Sequence, residues 1–200
     1  MARIRTFIAV DVGDTIRASA VGLQRRLERT AAGVKWVEAD NLHITLLFLG
    51  EVDELEVLRV CRAVAAVAQT TAPFTLVVEG LGAFPHTRRP KILWVGVKDG
   101  TEELRHLHEA LEAPLLAMGA YRREERAYTP HLTLGRLSDE DRADRWAPVF
   151  TKHADWQAGE TTVSEVLVMS SELRREGPVY TVLSRTQLGG AANEEAESET

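Results

Sequence analysis

Apolar and polar side chains alternate from Arg3 to Val12, and this period of two predicts a β-strand. One face of the strand carries Ile4, Thr6, Ile8, Val10 and Val12, and the other carries Arg5, Phe7, Ala9 and Asp11. Phe7 therefore stands out as an aromatic ring on the face opposite the aliphatic one. A strand with an aliphatic face packs that face on the core and leaves the other face available for a site.

Three later segments have apolar residues every three or four positions, a spacing typical of amphipathic helices. Asp14 is expected to cap the first helix, which would end at Gly33. Asp53 is expected to cap the second helix, and Thr101 opens the third. Their apolar stripes are Ile16, Ala20, Leu23 and Leu27; Val57, Val60, Val64 and Val67; and Leu104, Leu107, Leu111 and Leu115.

Further strands are predicted between and after these helices. They cover residues 34–37, 43–49, 74–78, 91–97, 131–137, 163–169 and 179–186, with a Gly/Pro-rich connection at 79–90 and a polar, Trp-containing stretch before residue 163. The alternation of helices and hairpins, without a glycine-rich phosphate loop, argues against a doubly wound nucleotide-binding sheet. We therefore expect an α+β fold with mainly antiparallel sheets flanked by helices.

One pattern occurs twice in the chain. LHITLLFLG at 42–50 and HLTLGRL at 131–137 share a His-x-Thr core in a strand setting with similar hydrophobic flanks. The repetition indicates two related lobes, each contributing one copy, and if a pseudo-twofold relates them, the two polar pairs can face each other across one cleft. The motif residues are His43, Ile44, Thr45 and Leu46 in the first copy and His131, Leu132, Thr133 and Leu134 in the second.

The paired motifs suit phosphoryl chemistry. On a strand the histidine and the threonine point the same way, while the two aliphatic residues face the core. Two imidazoles on opposite sides of a phosphorus atom can act as base and acid, because the ordinary histidine pKa of about 6.5 lies near neutral pH. The hydroxyls of Thr45 and Thr133 can donate hydrogen bonds to the phosphoryl oxygens. A single His-x-Thr strand is usually only a half-buried histidine, but two in one small protein indicate a site.

Composition narrows the class of protein. The 200 residues carry a net charge of −6, and residues 189–200 hold four acidic side chains and no basic one, so the rest is nearly neutral. A protein that coats long duplex nucleic acid would be more basic. No apolar run is long enough to span a membrane and no secretory signal is present, so we expect a cytoplasmic protein without membrane association. We predict one two-lobed domain at 1–188 and a disordered acidic tail at 189–200.

The chain resembles a known family, the two-histidine phosphoesterases, and within it the RNA 2′,3′-cyclic phosphodiesterases, also called 2′-5′ RNA ligase-like or LigT-like proteins. The resemblance covers residues 3 to about 187, and both motif strands with their flanks carry it: RTFIAV, VKWVEADNLHITLLFLGEV, LGAFPHTRRPKILWVGV, YTPHLTLGR and VSEVLVMSSELRREGPVYTVL. It implies two lobes around a cleft, and it implies that His43 is the general acid, His131 the general base, and Thr45 and Thr133 the phosphate-holding hydroxyls.

Other positions are assigned more weakly. By resemblance, Phe7 would stack on a nucleobase, with core packing as the alternative. Arg136 could reach a phosphate or form a surface salt bridge. Phe84, Tyr128 and Pro130 would shape the rim of the substrate site or simply pack. The other histidines, including His106 and His108 on a helix face taken as exposed, are assigned no role. Because none forms a metal-binding spacing and Cys61 is the only cysteine, no metal and no cofactor are expected.

The function implied is hydrolysis of a terminal 2′,3′-cyclic phosphate on RNA or a nucleotide to a 2′-phosphate, with reversible 2′-5′ RNA ligation as a secondary activity. RNA with such ends, or a cyclic nucleotide, is the expected partner of a monomeric enzyme. Two alternatives remain open at this point. One is a cyclic phosphodiesterase of small nucleotides such as ADP-ribose 1″,2″-cyclic phosphate. The other is a nucleotide- or RNA-binding module without turnover.

Overall fold

The computed structural model describes residues 2–29, 33–123, 126–138, 145–175 and 177–190. Nine strands and four α-helices lie in these ranges. The strands are β1 (Arg3–Asp11), β2 (Val34–Trp36), β3 (His43–Asp53), β4 (Phe74–Phe84), β5 (Ile92–Val97), β6 (His131–Leu137), β7 (Gln157–Val163), β8 (Glu165–Leu173) and β9 (Pro178–Gln187). The helices are α1 (Gly13–Glu28), α2 (Glu54–Ala68), α3 (Thr101–Ala117) and α4 (Ala147–Lys152), and a 3₁₀ turn spans Ala39–Asn41.

The strands form one curled, antiparallel sheet in the order β7-β4-β5-β6-β3-β1-β8-β9, with β2 paired to β6. We name β3, β1, β8 and β9 the first half-sheet, and β6, β5, β4 and β7 the second half-sheet. The halves meet where β3 pairs with β6 through Ile44 and Leu132. The sequence prediction of an α+β fold with two pseudo-symmetric lobes is therefore confirmed. The two motif strands, β3 and β6, are neighbours in the middle of the whole sheet.

The aliphatic side of the sheet packs against the helices. The predicted core positions of the two motifs are fully buried there: Ile44, Leu46, Leu132 and Leu134. The leucine stripe of α3 is buried as well, and so are Val60 and Val64 of α2. Since these faces hold the motif strands from behind, the polar residues between them are displayed by a rigid support.

Several local predictions were wrong. Asp14 does not cap α1: the helix begins at Gly13, whose backbone N–H donates to the Asp11 carboxylate at 3.2 Å, and it ends at Glu28 rather than at Gly33. The segment after Val78 is not a loop, because β4 continues to Phe84 in register with β5. The polar stretch before residue 163 contains α4 and most of β7, which pairs with β4.

The predicted tail at 189–200 begins with two residues that the structure describes. Gly189 donates its backbone N–H to Ala68 at 3.0 Å, and Gly190 donates to Thr71 at 3.0 Å. These two bonds hold residues 189 and 190 against the last residue of α2 and the turn that follows it. Residues 191–200, the rest of the predicted tail, lie outside the described residues.

Candidate active site

The cleft face of β3 follows from its register with β1. His43 lies opposite Asp11, Thr45 opposite Ala9, and Phe48 opposite Phe7. Residues directly opposite each other in a sheet share a face. The irregularity between Ile8 and Ala9 adds one residue to β3, so that Phe48 joins His43 and Thr45 on the cleft side.

The second motif strand repeats this arrangement with β5. His131 lies opposite Gly96, Thr133 opposite Trp94, and Arg136 opposite Ile92. A bulge between Thr133 and Gly135 places one extra residue in β6, which brings Arg136 to the same face as His131 and Thr133. The fold thus brings the two predicted histidines, the two threonines and Arg136 to one cleft.

Each histidine is held in the same way. The Nδ1 atom of His43 lies 2.8 Å from the carbonyl oxygen of Asn41, and that of His131 lies 2.7 Å from the carbonyl of Thr129. A carbonyl can only accept, so Nδ1 carries the hydrogen in both rings and Nε2 is left for chemistry. The Nε2 atom of His43 is 3.0 Å from the hydroxyl of Thr45. Each imidazole can thus accept a proton at Nε2 when neutral, or donate one when charged.

Burial lowers the pKa of both imidazoles below the usual value, because it disfavours the charged ring. The bonds to Asn41 and Thr129 oppose this effect. The charged neighbours differ between the two sites. The guanidinium of Arg17 lowers the pKa of His43 while the Asp11 carboxylate raises it, and among the described residues Arg136 lowers the pKa of His131. Both rings therefore favour the neutral form more strongly than a free imidazole does.

Aromatic rings surround each histidine. The ring of His43 lies 5.0 Å from that of Phe7 and 5.4 Å from that of Tyr180, and His131 lies 4.9 Å from Phe84 and 6.2 Å from Trp94. Phe7 is only 2% exposed, since His43, Phe48 and Tyr180 cover its ring. Phe7 thus packs directly against His43, and its stacking on a nucleobase stays a prediction.

Arg17 connects the cleft residues to the turn before β3. Its guanidinium donates to the carbonyls of Ala39 at 2.7 Å and Leu42 at 3.1 Å, and it forms an ion pair with Asp11. Asn41, whose carbonyl holds His43, is itself tied by its side chain to the carbonyl of Pro178 at 3.0 Å. These bonds fix the carbonyl that determines the tautomer of His43.

A cavity of about 300 Å³ adjoins the second histidine. Tyr128 lies in its wall, and its hydroxyl donates to the carbonyl of Thr45 at 3.0 Å. The ring of Tyr128 stacks on His108 at 4.2 Å, and His108 Nδ1 donates to the carbonyl of Leu46 at 2.9 Å. The assignment of His108 to an exposed face was therefore wrong, because the ring turns towards β3 beside the leucine stripe. Of the other rim candidates, Phe84 lines the cavity and Pro130 is buried.

Within the described ranges, no group of three or more His, Cys, Asp or Glu side chains is placed to hold a metal ion. In the same ranges, no helix has the length and apolar character needed to cross a membrane.

Sequence reasoning missed several residues of the site. Tyr180 and Trp94 pack on the two histidines, Arg17 and Asp11 support the first, and Glu112 lies beside His108. The i, i+4 spacing of His108 and Glu112, next to Leu107 and Leu111, was a usable signal, because residues beside an apolar stripe lie at its buried margin. Tyr180, Trp94 and Asp11 depend on strand register and Arg17 depends on how α1 packs, and the sequence leaves both open.

An antiparallel sheet in two halves, with one His-x-Thr strand in each, is the arrangement expected of a two-histidine phosphoesterase. The family model of the 2′-5′ RNA ligase superfamily matches residues 14–175. An RNA 2′,3′-cyclic phosphodiesterase of Methanothermobacter thermautotrophicus is 35% identical over 90% of this chain and 96% of its own length. One from Archaeoglobus fulgidus is 37% identical over 88% of this chain and 96% of its own. The chain belongs to the 2′-5′ RNA ligase superfamily.

Solved structures of other proteins have the same fold. The protein TT0787 of Thermus thermophilus superposes with a TM-score of 0.81 at 30% identity, covering 94% of this chain and 100% of that one. Escherichia coli LigT complexed with 3′-AMP superposes with a TM-score of 0.73 at 25% identity, covering 93% of this chain and 98% of that one. The similarity extends through both half-sheets, since it covers nearly the whole of each chain.

Proposed function

We propose that this protein hydrolyses terminal 2′,3′-cyclic phosphates of RNA to 2′-phosphates by acid–base catalysis between His43 and His131, without a metal ion. One observation carries the proposal. Two imidazoles on adjacent antiparallel strands face one cleft, each with Nδ1 bound to the carbonyl two residues earlier and each followed by a threonine on the same face. The relatives named RNA 2′,3′-cyclic phosphodiesterase support the substrate class.

In the proposed step, His131 removes a proton from water as the water oxygen attacks phosphorus. The bond from phosphorus to the 3′-oxygen breaks, and protonated His43 gives its Nε2 proton to that oxygen. At His43 the Arg17 guanidinium disfavours a charged imidazole and the Asp11 carboxylate opposite the ring opposes that effect, whereas at His131 the charged neighbour among the described residues is Arg136, which disfavours a charged ring. This contrast supports the acid role of His43 and the base role of His131.

The threonines and Arg136 would hold the phosphate. The hydroxyls of Thr45 and Thr133 donate to its non-bridging oxygens, and the Arg136 guanidinium stabilises their charge. A bound anion also favours protonation of His43, whose pKa burial lowers in the unliganded protein. Substrate binding would thus raise the pKa of His43, so that the ring takes up from solvent the proton it later donates. A cytoplasmic location and a monomeric state remain predictions from the sequence.

The direct test is to incubate the protein with adenosine 2′,3′-cyclic phosphate, and with a short RNA ending in a 2′,3′-cyclic phosphate, and to identify the products by phosphorus NMR. We expect a 2′-phosphate from both substrates and no inhibition by EDTA. A 3′-phosphate product would reverse the acid and base roles or the ribose orientation. Activity lost to EDTA and restored by a divalent ion would overturn the metal-free mechanism. Turnover of the mononucleotide but not of the RNA would favour the small-nucleotide alternative.

A further inference from the structure

The cavity beside His131 lies on one side of the reaction centre. Its lining includes His131, the ring neighbour Phe84 and the carbonyl partner Thr129, together with Thr45 of the other motif. Among the residues that the structure describes, His43 and its neighbours Phe7 and Tyr180 are not part of that lining. The other lining residues of β3, Leu46, Leu47 and Phe48, follow Thr45 along the strand away from His43, so the cavity adjoins His131, the proposed base, and not His43.

The base side is where the nucleophile enters, because in-line displacement puts the attacking and leaving oxygens on opposite sides of phosphorus. A water molecule needs far less than the space available here. A cavity of about 300 Å³ is at the lower end of the range of small-molecule sites and suits one nucleoside.

We propose that this cavity is the acceptor subsite of the 2′-5′ joining reaction, which binds the nucleoside whose 5′-hydroxyl attacks the cyclic phosphate. The same subsite holds the departing 5′ nucleoside when a 2′-5′ linkage is cleaved. The inference rests on the proposed function, since it assigns His131 as the base.

The lining has the chemistry that a nucleoside requires. Phe48, which is 53% exposed, and Phe84 supply apolar surface for a base or a ribose. Glu112, whose side chain is only 13% exposed, accepts a hydrogen bond from Arg123 at 3.0 Å, and its remaining carboxylate lone pairs can accept hydrogen bonds from ribose hydroxyls or base N–H groups. Arg126 lies in the lining and is exposed, where it can meet the next phosphate of an RNA acceptor.

The wall between Glu112 and the reaction centre is rigid. Tyr128 and His108 stack with parallel rings, and each donates one hydrogen bond to the backbone of β3, at Thr45 and Leu46. An acceptor bound against this wall would be positioned relative to Thr45, which holds the phosphate in the proposed function. This link makes the cavity part of the reaction geometry.

The step is balanced without any further reactant. The acceptor 5′-oxygen forms a bond to phosphorus, and its proton goes to Nε2 of His131. The bond from phosphorus to the 3′-oxygen breaks, and that oxygen takes the proton from Nε2 of His43. The product is a 2′-5′ phosphodiester with a free 3′-hydroxyl, and cleavage of a 2′-5′ linkage is the reverse of this step.

The test compares two substrates in the full chain: 2′-5′-linked diadenosine monophosphate, which needs the acceptor subsite, and adenosine 2′,3′-cyclic phosphate, which does not. We expect E112Q to lower kcat/KM for the dinucleotide about tenfold more than for the cyclic nucleotide, because a hydrogen bond to a charged group is lost. R126A should likewise lower kcat/KM more for a 2′-5′-linked trinucleotide than for the cyclic nucleotide. The matched control is E109Q, on the exposed side of α3, which should leave the ratio of the two rates unchanged.

Each outcome distinguishes the two proposals. Equal losses on both substrates in E112Q would place the base of the cyclic nucleotide in the cavity and overturn the acceptor subsite. Normal rates on every substrate in both E112Q and R126A would also overturn the acceptor subsite. If the unmodified protein turns over neither substrate, the proposed function itself fails.

Discussion

The two half-sheets display the same motif but surround it differently. In the first half-sheet, His43 lies opposite Asp11, which pairs with Arg17, and Phe7 and Tyr180 pack on its ring. In the second half-sheet the position opposite His131 is Gly96, and Phe84 and Trp94 are the ring neighbours. The repeated strand therefore sets the geometry of both histidines, while their charged neighbours differ: Arg17 and Asp11 at His43, and Arg136 at His131. Of the two histidines, only His43 has a carboxylate opposite it in the neighbouring strand, and this difference is in line with the acid role proposed for it.

Removal of either histidine should have the largest effect on the rate. Because the proposed acid and base act in one step, H43A and H131A should each lower kcat with a cyclic nucleotide by about 10²–10⁴-fold. The double variant should lose much less than the product of the two factors. H106A on the exposed side of α3 is the matched control, and its rate should be normal. Near-normal turnover by either single variant would contradict the assignment.

Displacing the Trp94 ring, which packs near His131, should have a smaller effect on the rate. A methyl group on Gly82 would lie 2.4 Å from ring carbons of Trp94, so G82A must displace that ring. We expect G82A to lower the free energy of unfolding by about 1–3 kcal/mol and to reduce kcat. G22A, which meets nothing within 4 Å in α1, should instead raise the free energy of unfolding by about 0.5–1 kcal/mol. Denaturant unfolding and a rate assay check both. Full activity in G82A would show that the position of Trp94 does not matter for His131.

The pH dependence of the rate tests which histidine is the acid and which is the base. At high pH the active fraction falls with the pKa of the acid, and at low pH it falls with the pKa of the base. Arg17 lowers the pKa of His43, so R17Q should raise the alkaline-side rate relative to the maximum. Arg136 lowers the pKa of His131, so R136Q should depress the acid-side rate relative to the maximum. Shifts of a few-fold are expected. If R17Q moved the acid side and R136Q the alkaline side, the two roles would be interchanged.

The smallest expected effect concerns stability in acid. Burial holds the pKa of both histidines below 6.5 in the folded protein, so the unfolded chain binds more protons as the pH falls below 6.5. The stability present above that value is therefore lost progressively towards the lower folded pKa. A variant carrying both H43Q and H131Q should lose less stability between pH 7 and pH 5 than the unmodified protein. H86Q, in an exposed loop, is the control, and urea unfolding at the two pH values provides the comparison. An equal loss in all three proteins would contradict the argument.

The sequence predicted the parts of this molecule that local patterns determine. The period of two in β1 and the repeated His-x-Thr core predicted which residues face the cleft, because side-chain alternation is a property of the strand itself. The capping of α2 by Asp53 and the buried leucines of α3 followed in the same way.

What could not be predicted depends on contacts between distant segments. The sequence of β7 is polar because the strand lies at one edge of the sheet. Its pairing with β4 stabilises it despite that composition. Tyr180 reaches His43 only because β9 returns to the first half-sheet through β8. The bulge that turns Arg136 into the cleft depends on the register between β5 and β6.

The order of the strands also has a consequence for how the chain folds. The second half-sheet takes β4, β5, β6 and β7 from one continuous stretch, Phe74 to Val163, whereas the first combines β1 and β3 with β8 and β9 from the far end of the chain. Pairing β1 with β8 closes a loop that contains the whole second half-sheet, a step slowed by the entropy of long-range closure. We therefore expect the second half-sheet to form early and Tyr180 to reach His43 last, so that recovery of activity during refolding reports the final long-range closure of the chain.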